Sequence, residues 1–315
     1  MKKNYLYFEC QNLCLSAITK LEQNFNLLRL KSPSILNECK GDIFAASAPL
    51  GYYYDKKFLD LLPNLKYVIS NTTGEQHIDA NYFKTVNVSI ISLKNEQNFL
   101  NTITPTAEHS LGLILNLHRN TIKAINSIHE SKEWDRRPYV SPYMLSNSNL
   151  GIVGYGRLGK MMYKMCQNIF KNCFYYDPFI PNNQSNNACS SLNDLLLRSD
   201  VVSIHVDLRQ QSKGLVDDNF IDSLKEQAII VNTSRGEVVK EESIIKGIND
   251  GKLRGYAADV LKDEFEPNFN LNENILFKRS LIDNRVILTP HIAGSTKDAW
   301  AMTQNKVVDE LICKI

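Results

Sequence analysis

Short apolar runs alternate with helix-length amphipathic stretches along nearly the whole chain. No other feature narrows the fold as far. A strand covered on both faces reads as a continuous apolar run, and a parallel neighbour is reached only through a crossover long enough to hold a helix. The rhythm therefore predicts an α/β architecture of doubly wound parallel sheets, and 315 residues suffice for two such domains. In the first third the strand-like runs are Tyr5–Phe8, Asp42–Ala46, Tyr67–Ser70 and Val88–Ser92. A helical segment follows from about Thr104 to Ser131, with Leu111, Ile114, Leu115, His118, Ile122 and Ile125 on one face. After a turn-rich stretch, Asp135 to Asn149, a second series reads Leu150–Gly154, Cys173–Asp177, Val201–His205, Ala228–Asn232, Gly255–Asp259 and Val286–Leu288. The polar run from Pro181 to Asn187 reads as a surface loop, and Ser295 to Ile315 as a closing helix.

Where the second series begins, Gly154-Tyr155-Gly156-Arg157-Leu158-Gly159 gives G-x-G-x-x-G between an apolar strand and a helical pattern. Gly154 allows the tight turn, Gly156 lets backbone approach a pyrophosphate, and Gly159 lets helix and strand pack closely. The amides of the helix N-terminus then face the phosphates, and Arg157 can add a charge-assisted contact. The next strand ends at Asp177, placed to accept from ribose hydroxyls and to repel a 2′-phosphate, which favours NAD over NADP.

Three later strand ends carry charge, where open α/β sheets bind their ligands. They are Asn232-Thr233-Ser234-Arg235-Gly236, Asp259-Val260-Leu261-Lys262-Asp263-Glu264 and Thr289-Pro290-His291-Ile292-Ala293-Gly294. With the glycine loop, and with Thr72-Thr73-Gly74-Glu75-Gln76-His77-Ile78-Asp79 and Thr106-Ala107-Glu108-His109 earlier in the chain, they resemble the D-isomer-specific 2-hydroxyacid dehydrogenase family. The resemblance covers most of the chain and is strongest from Gly151 to Thr296.

That resemblance implies a Rossmann NAD-binding domain at residues 98–291 and a flavodoxin-like substrate domain made of residues 1–97 and 292–315, with a cleft between them that closes on the substrate. It implies catalytic Arg235, Glu264 and His291. The chemistry suits each residue type. Reducing a 2-oxo acid needs hydride addition at C2 and a proton for the carbonyl oxygen, and a histidine can move that proton near neutral pH. Glu264 would orient the ring. Arg235 offers a planar fork to carboxylate and carbonyl and stabilises the developing oxyanion. Glu266, which directly precedes Pro267, is the alternative to Glu264; spacing from Asp259 and Arg235 favours Glu264. The resemblance further gives Asp259 to the nicotinamide carboxamide and counts His205 and Thr233, with Gly154, Gly156, Arg157, Leu158, Gly159 and Asp177, among the cofactor contacts. Asp207 stands where the family usually has proline.

For the substrate, the resemblance implies backbone amides at Thr73 and Gly74. Thr72 stands where the family has another glycine, and Ser92–Glu96 departs from its usual Asn-x-Pro pattern. Lys94 either reaches a second anionic group on the substrate or is a solvated loop lysine; Arg136 and Arg137 beside Trp134 pose the same question. The expected partners are a small 2-oxo or 2-hydroxy acid and a second copy of the chain, with the 104–131 segment as the dimer element. A non-enzymatic NAD-sensing regulator of the same fold is the rival reading. A net charge of +2 gives no nucleic-acid signature, and no run is long and apolar enough to span a bilayer. The basic start, Met1-Lys2-Lys3-Asn4, is not followed by the apolar run of a signal peptide. Seven cysteines without a CxxC pair predict free thiols in a reducing cytoplasm and no metal site.

Overall fold

The computed structural model describes residues 2–39, 41–180, 186–266 and 268–315. The chain divides into two compact units. The first holds residues 1–103, 265–268 and 295–315, and the second residues 104–264 and 269–294. Each has its own parallel sheet and core.

The first sheet is formed by β1 (Asn4–Phe8), β2 (Asn26–Leu30), β3 (Ile43–Ser47), β4 (Tyr67–Ile69) and β5 (Ser89–Ile91) in the order β2-β1-β3-β4-β5, all parallel. This is the flavodoxin-like order. Strand β2 is absent from the sequence reading for a physical reason. It lies at the sheet edge, none of its residues is buried, and Asn26 and Arg29 interrupt its apolar pattern. The helix Lys297–Cys313 returns to this unit. Its Val307, Val308 and Leu311 share a core with Tyr5, Leu21, Phe25, Ile69 and Ile91.

The second sheet contains β6 (Asn149–Val153), β7 (Asn172–Tyr176), β8 (Val201–Ile204), β9 (Ala228–Asn232), β10 (Leu253–Ala258) and β11 (Val286–Leu288), ordered β11-β10-β9-β8-β6-β7. An isolated parallel bridge from Tyr175 to Ala188 adds a rudimentary strand outside β7, which completes the order of a dinucleotide-binding sheet. Asn187, at the end of the expected surface loop, belongs to that bridge through the Tyr175 amide; residues 181–185 lie outside the described residues.

The single helix expected over 104–131 is two helices, Pro105–His118 and Thr121–Ser131. Asn120 between them adopts a left-handed conformation, φ 54°, which asparagine tolerates better than most residues. The apolar periodicity continues across the break, so it cannot reveal it. The first helix buries Ala107, Ser110, Leu113, Ile114 and Leu117, while no residue of the second is buried.

Leu311 is fully buried two residues before the end of the closing helix. Leu311→Ala is expected to destabilise the first unit by about 2–5 kcal/mol, read as a lower denaturation midpoint. A midpoint within error of wild type would mean that the helix contributes no packing energy there.

Candidate active site

One registered row of residues sets the geometry of the second unit. Tyr176, Val153, Ile204, Asn232, Ala258 and Leu288 are successive partners across all six strands and are the last residues of their strands. The residues that follow them are Asp177, Gly154, His205, Thr233, Asp259 and Thr289. Five of these six are expected site residues, and Thr289 was not anticipated. The chain reverses its direction of winding between β6 and β8, the position where such sheets open a ligand crevice. Gly154 and His205 flank that point.

Gly154 has φ 90°, and a Cβ there would overlap the His205 carbonyl. Gly159 is pressed against the Gly154 carbonyl. Gly156, the N-cap of helix Arg157–Cys166, differs: a Cβ on it would meet nothing within 4 Å. The backbone is therefore open where a pyrophosphate has to approach. Arg157 is half-buried at the first turn, where burial lowers its pKa, and Leu158 follows it. Asp177 spans the loop mouth, accepting from the Tyr155 amide at 2.8 Å and the Phe179 amide at 2.9 Å. These features fit a dinucleotide.

His205 is buried at the end of β8. Its Nε2 lies 2.8 Å from Ser203 Oγ, and its Nδ1 is buried with no hydrogen-bond partner among the described residues. Burial pushes its pKa down from 6.5 to about 4. Thr233 is also buried. Ser110 donates its own proton to the Thr106 carbonyl, so the Thr233 hydroxyl donates to Ser110 Oγ at 2.7 Å.

The Arg235 loop is folded by Asn232, which the sequence reading missed. Asn232 donates to the Arg235 carbonyl at 2.8 Å and accepts from the amide and hydroxyl of Ser234. The Arg235 guanidinium donates to the Ser234 carbonyl at 2.6 Å. A Cβ on Gly236 would overlap the backbone of Leu261 and Lys262. The loop carrying Arg235 therefore lies against the segment leading to Glu264, and only glycine permits that approach.

His291 Nδ1 lies 2.8 Å from Glu264 Oε1, so the structure brings those two expected residues together. His291 sits in the left-handed region at φ 51°. The conformation is held from below by Asp259. The Asp259 carbonyl accepts from the His291 amide at 2.9 Å, and its carboxylate accepts from Ile292 N at 2.9 Å, Ala293 N at 2.7 Å and the Thr289 hydroxyl at 2.5 Å. Because Thr289 spends its proton on Asp259, it accepts from His109 Nε2 at 2.9 Å. Asp259 is 1% exposed. The role visible in these contacts is to position the histidine turn. His109 and Thr289 extend that support, and the polar residues at the edges of the Thr-Pro-His and Ala-Glu-His segments were the available signal. Glu266 falls in the other unit.

The first unit repeats the logic. Ser47, Ile69 and Ile91 are registered partners at the ends of β3, β4 and β5, so Ser70 and Ser92 open neighbouring loops. The Thr72 hydroxyl donates to the Gly74 carbonyl at 2.7 Å, Ser70 Oγ then donates to Thr72 Oγ1 at 2.9 Å, and buried His77 Nε2 lies 3.1 Å from Ser70 Oγ. The threonine that replaces a family glycine thus fastens the loop holding Thr73 and Gly74. Lys94, whose side chain is 61% exposed, forms an ion pair with Glu75, Nζ to Oε2 2.9 Å.

The class defined here is a dinucleotide-binding α/β protein with a histidine–carboxylate pair at its strand ends. The family model described as "D-isomer specific 2-hydroxyacid dehydrogenase, NAD binding domain" matches residues 111–293, more than half of the chain. A glycerate dehydrogenase from Methylorubrum extorquens is 29% identical over 258 residues, covering 80% of this chain and 77% of that protein. A D-3-phosphoglycerate dehydrogenase from Archaeoglobus fulgidus is 32% identical over 261 residues, covering 82% of this chain but 47% of that protein, so the chain spans about half its length. The crystal structure of a D-lactate dehydrogenase from Aquifex aeolicus, complexed with NAD and lactic acid, has the same fold: TM-score 0.77, 20% identity, 98% of this chain and 94% of that one covered. The chain belongs to the D-isomer specific 2-hydroxyacid dehydrogenase family. Its cofactor is NAD, and the match supports an enzyme over a non-enzymatic sensor.

His205 makes stability pH-dependent. The unfolded chain takes up a proton near pH 6.5, the folded imidazole only near 4. Between those values the unfolded state holds more protons, so stability falls as pH drops through the window, by about 3 kcal/mol in all. His205→Gln is expected to flatten that part of the stability profile. An unaltered slope would show that other groups carry the dependence.

Proposed function

We propose that the protein interconverts a small D-2-hydroxy acid and its 2-oxo acid, the first unit reading the acid and the second holding NAD. The observation that carries this reading is the His291–Glu264 pair on a strand-end turn. NAD, when bound, supplies or accepts the hydride at C2. Thr73 and Gly74 offer amides to the carboxylate from a loop already fastened by Thr72. Arg235 takes the carboxylate and carbonyl oxygens and stabilises the negative charge that grows on the latter. His291 gives a proton to that oxygen in reduction and takes it back in oxidation. Glu264 holds the ring through Nδ1 and so orients it for that exchange. Asp177 faces the ribose hydroxyls, and His205, Thr233 and Asp259 shape the cofactor side, Asp259 chiefly through the turn it holds.

A homodimer fits the surface. The helix Thr121–Ser131 buries none of its residues, and the segment after it exposes Trp134 (92%), Val140, Tyr143 and Met144. Sedimentation equilibrium is expected to give a dimer that Trp134→Asp weakens; a monomeric wild type would remove this assignment. Among the described residues no helix is long and apolar enough to cross a membrane. Free Cys166, Cys173 and Cys189, whose thiols burial pushes up to about 12, 11 and 11, suit a reducing cytoplasm. Recovery in a membrane or secreted fraction would contradict that location.

The direct test is NADH oxidation with pyruvate, glyoxylate and hydroxypyruvate, and NAD reduction with the D and L forms of lactate and glycerate. Wild type is expected to turn over at least one acid and to use the D isomer. His291→Asn is expected to bind NADH normally and to lose roughly 10²–10⁴-fold in kcat. Near-wild-type kcat in that variant would take the proton-transfer role away from His291.

A further inference from the structure

We infer that Glu75, paired with Lys94, is a specificity gate that turns away acids carrying a second negative charge. The inference rests on the reading of Thr73 and Gly74 as the carboxylate-binding loop. Glu75 directly follows Gly74. Both of its carboxylate oxygens are held from the next loop: Ser92 Oγ donates to Oε1 at 2.6 Å and Lys94 Nζ to Oε2 at 2.9 Å. The side chain of Glu75 is 16% exposed and that of Lys94 61%. The sheltered member of the pair is therefore the anion, held at both oxygens, and the cation is the exposed member.

An ion pair with one member this exposed adds little to stability, so its placement beside the substrate loop calls for another account. The 72–75 loop is also fastened to the 92–94 loop through Leu93 N and the Thr72 carbonyl, 3.0 Å apart. Glu75 cannot swing away without breaking its bond to Ser92. On the reading of Thr73 and Gly74 as the carboxylate-binding loop, the carboxylate of a 2-oxo acid sits one residue from Glu75, which puts a second anionic group of the same small acid within reach of this corner. A neutral hydroxymethyl group meets a pair with no net charge. A phosphate or second carboxylate finds the lysine already neutralised by a fixed carboxylate, so it gains no counter-ion to offset its lost hydration, and withholding a partner in this way is a source of selectivity. The relatives divide on the same chemistry, one named for glycerate and another for 3-phosphoglycerate.

The test compares kcat/KM for hydroxypyruvate and 3-phosphohydroxypyruvate in wild type, Glu75→Gln and the Glu75→Gln/Lys94→Met double variant. Glutamine keeps an acceptor for Ser92 and removes the charge. Wild type is expected to favour hydroxypyruvate by about tenfold or more. Glu75→Gln should shrink that preference about tenfold by releasing Lys94, and the double variant should forfeit the gain. A wild type that prefers the phosphorylated acid, or a ratio unmoved in Glu75→Gln while hydroxypyruvate is still turned over, would overturn the gate. Absence of turnover with both acids and with pyruvate and glyoxylate, in wild type, would instead overturn the dehydrogenase reading on which the gate rests.

Discussion

The hydrogen-bonded register of the six parallel strands is the constraint from which the second unit's chemistry follows. Each strand stops at the same row, so the residue after each stop appears at a common edge. A slip of one residue in a single strand would turn its side chains to the opposite face and displace its loop. Register is secured by burial on both faces: every residue of β8 and β9 is buried. Packing energy across the sheet is thus what aligns Gly154, Asp259 and the turn carrying His291, which are far apart in sequence.

Above that row, alignment passes from backbone ladders to a few polar side chains. Asp259 gathers two amides and a hydroxyl beneath His291, and Asn232 plays the same part for Arg235. Gly236 adds a steric link, because the Arg235 loop and the Glu264 segment share space that no side chain can enter. Preorganisation here comes from satisfied buried acceptors.

Much of this was legible in the sequence because it rests on one-dimensional patterns. Continuous apolar runs marked the interior strands, and the glycines, Asp177, Arg235 and His291 follow those runs directly. What escaped depends on three-dimensional neighbours. Strand β2 is an edge strand whose exposed side chains carry no apolar signature. The break at Asn120 lies within an uninterrupted apolar face. The positioning role of Asp259 needs the 289–293 turn folded above it, thirty residues on in the chain. Lys94 read as a solvated residue or a ligand contact, because its partner Glu75 lies nineteen residues away.

The closing helix has a consequence for how the molecule comes into being. Val307, Val308 and Leu311 complete a core begun by Tyr5 and Leu21. A ribosome making this chain releases the whole 104–294 stretch before the first unit has its last wall. The second unit can mature early, while this core of the first unit lacks the part of its wall that residues 297–313 supply. Chaperone attention during synthesis should therefore fall on residues 1–103, which wait for that helix.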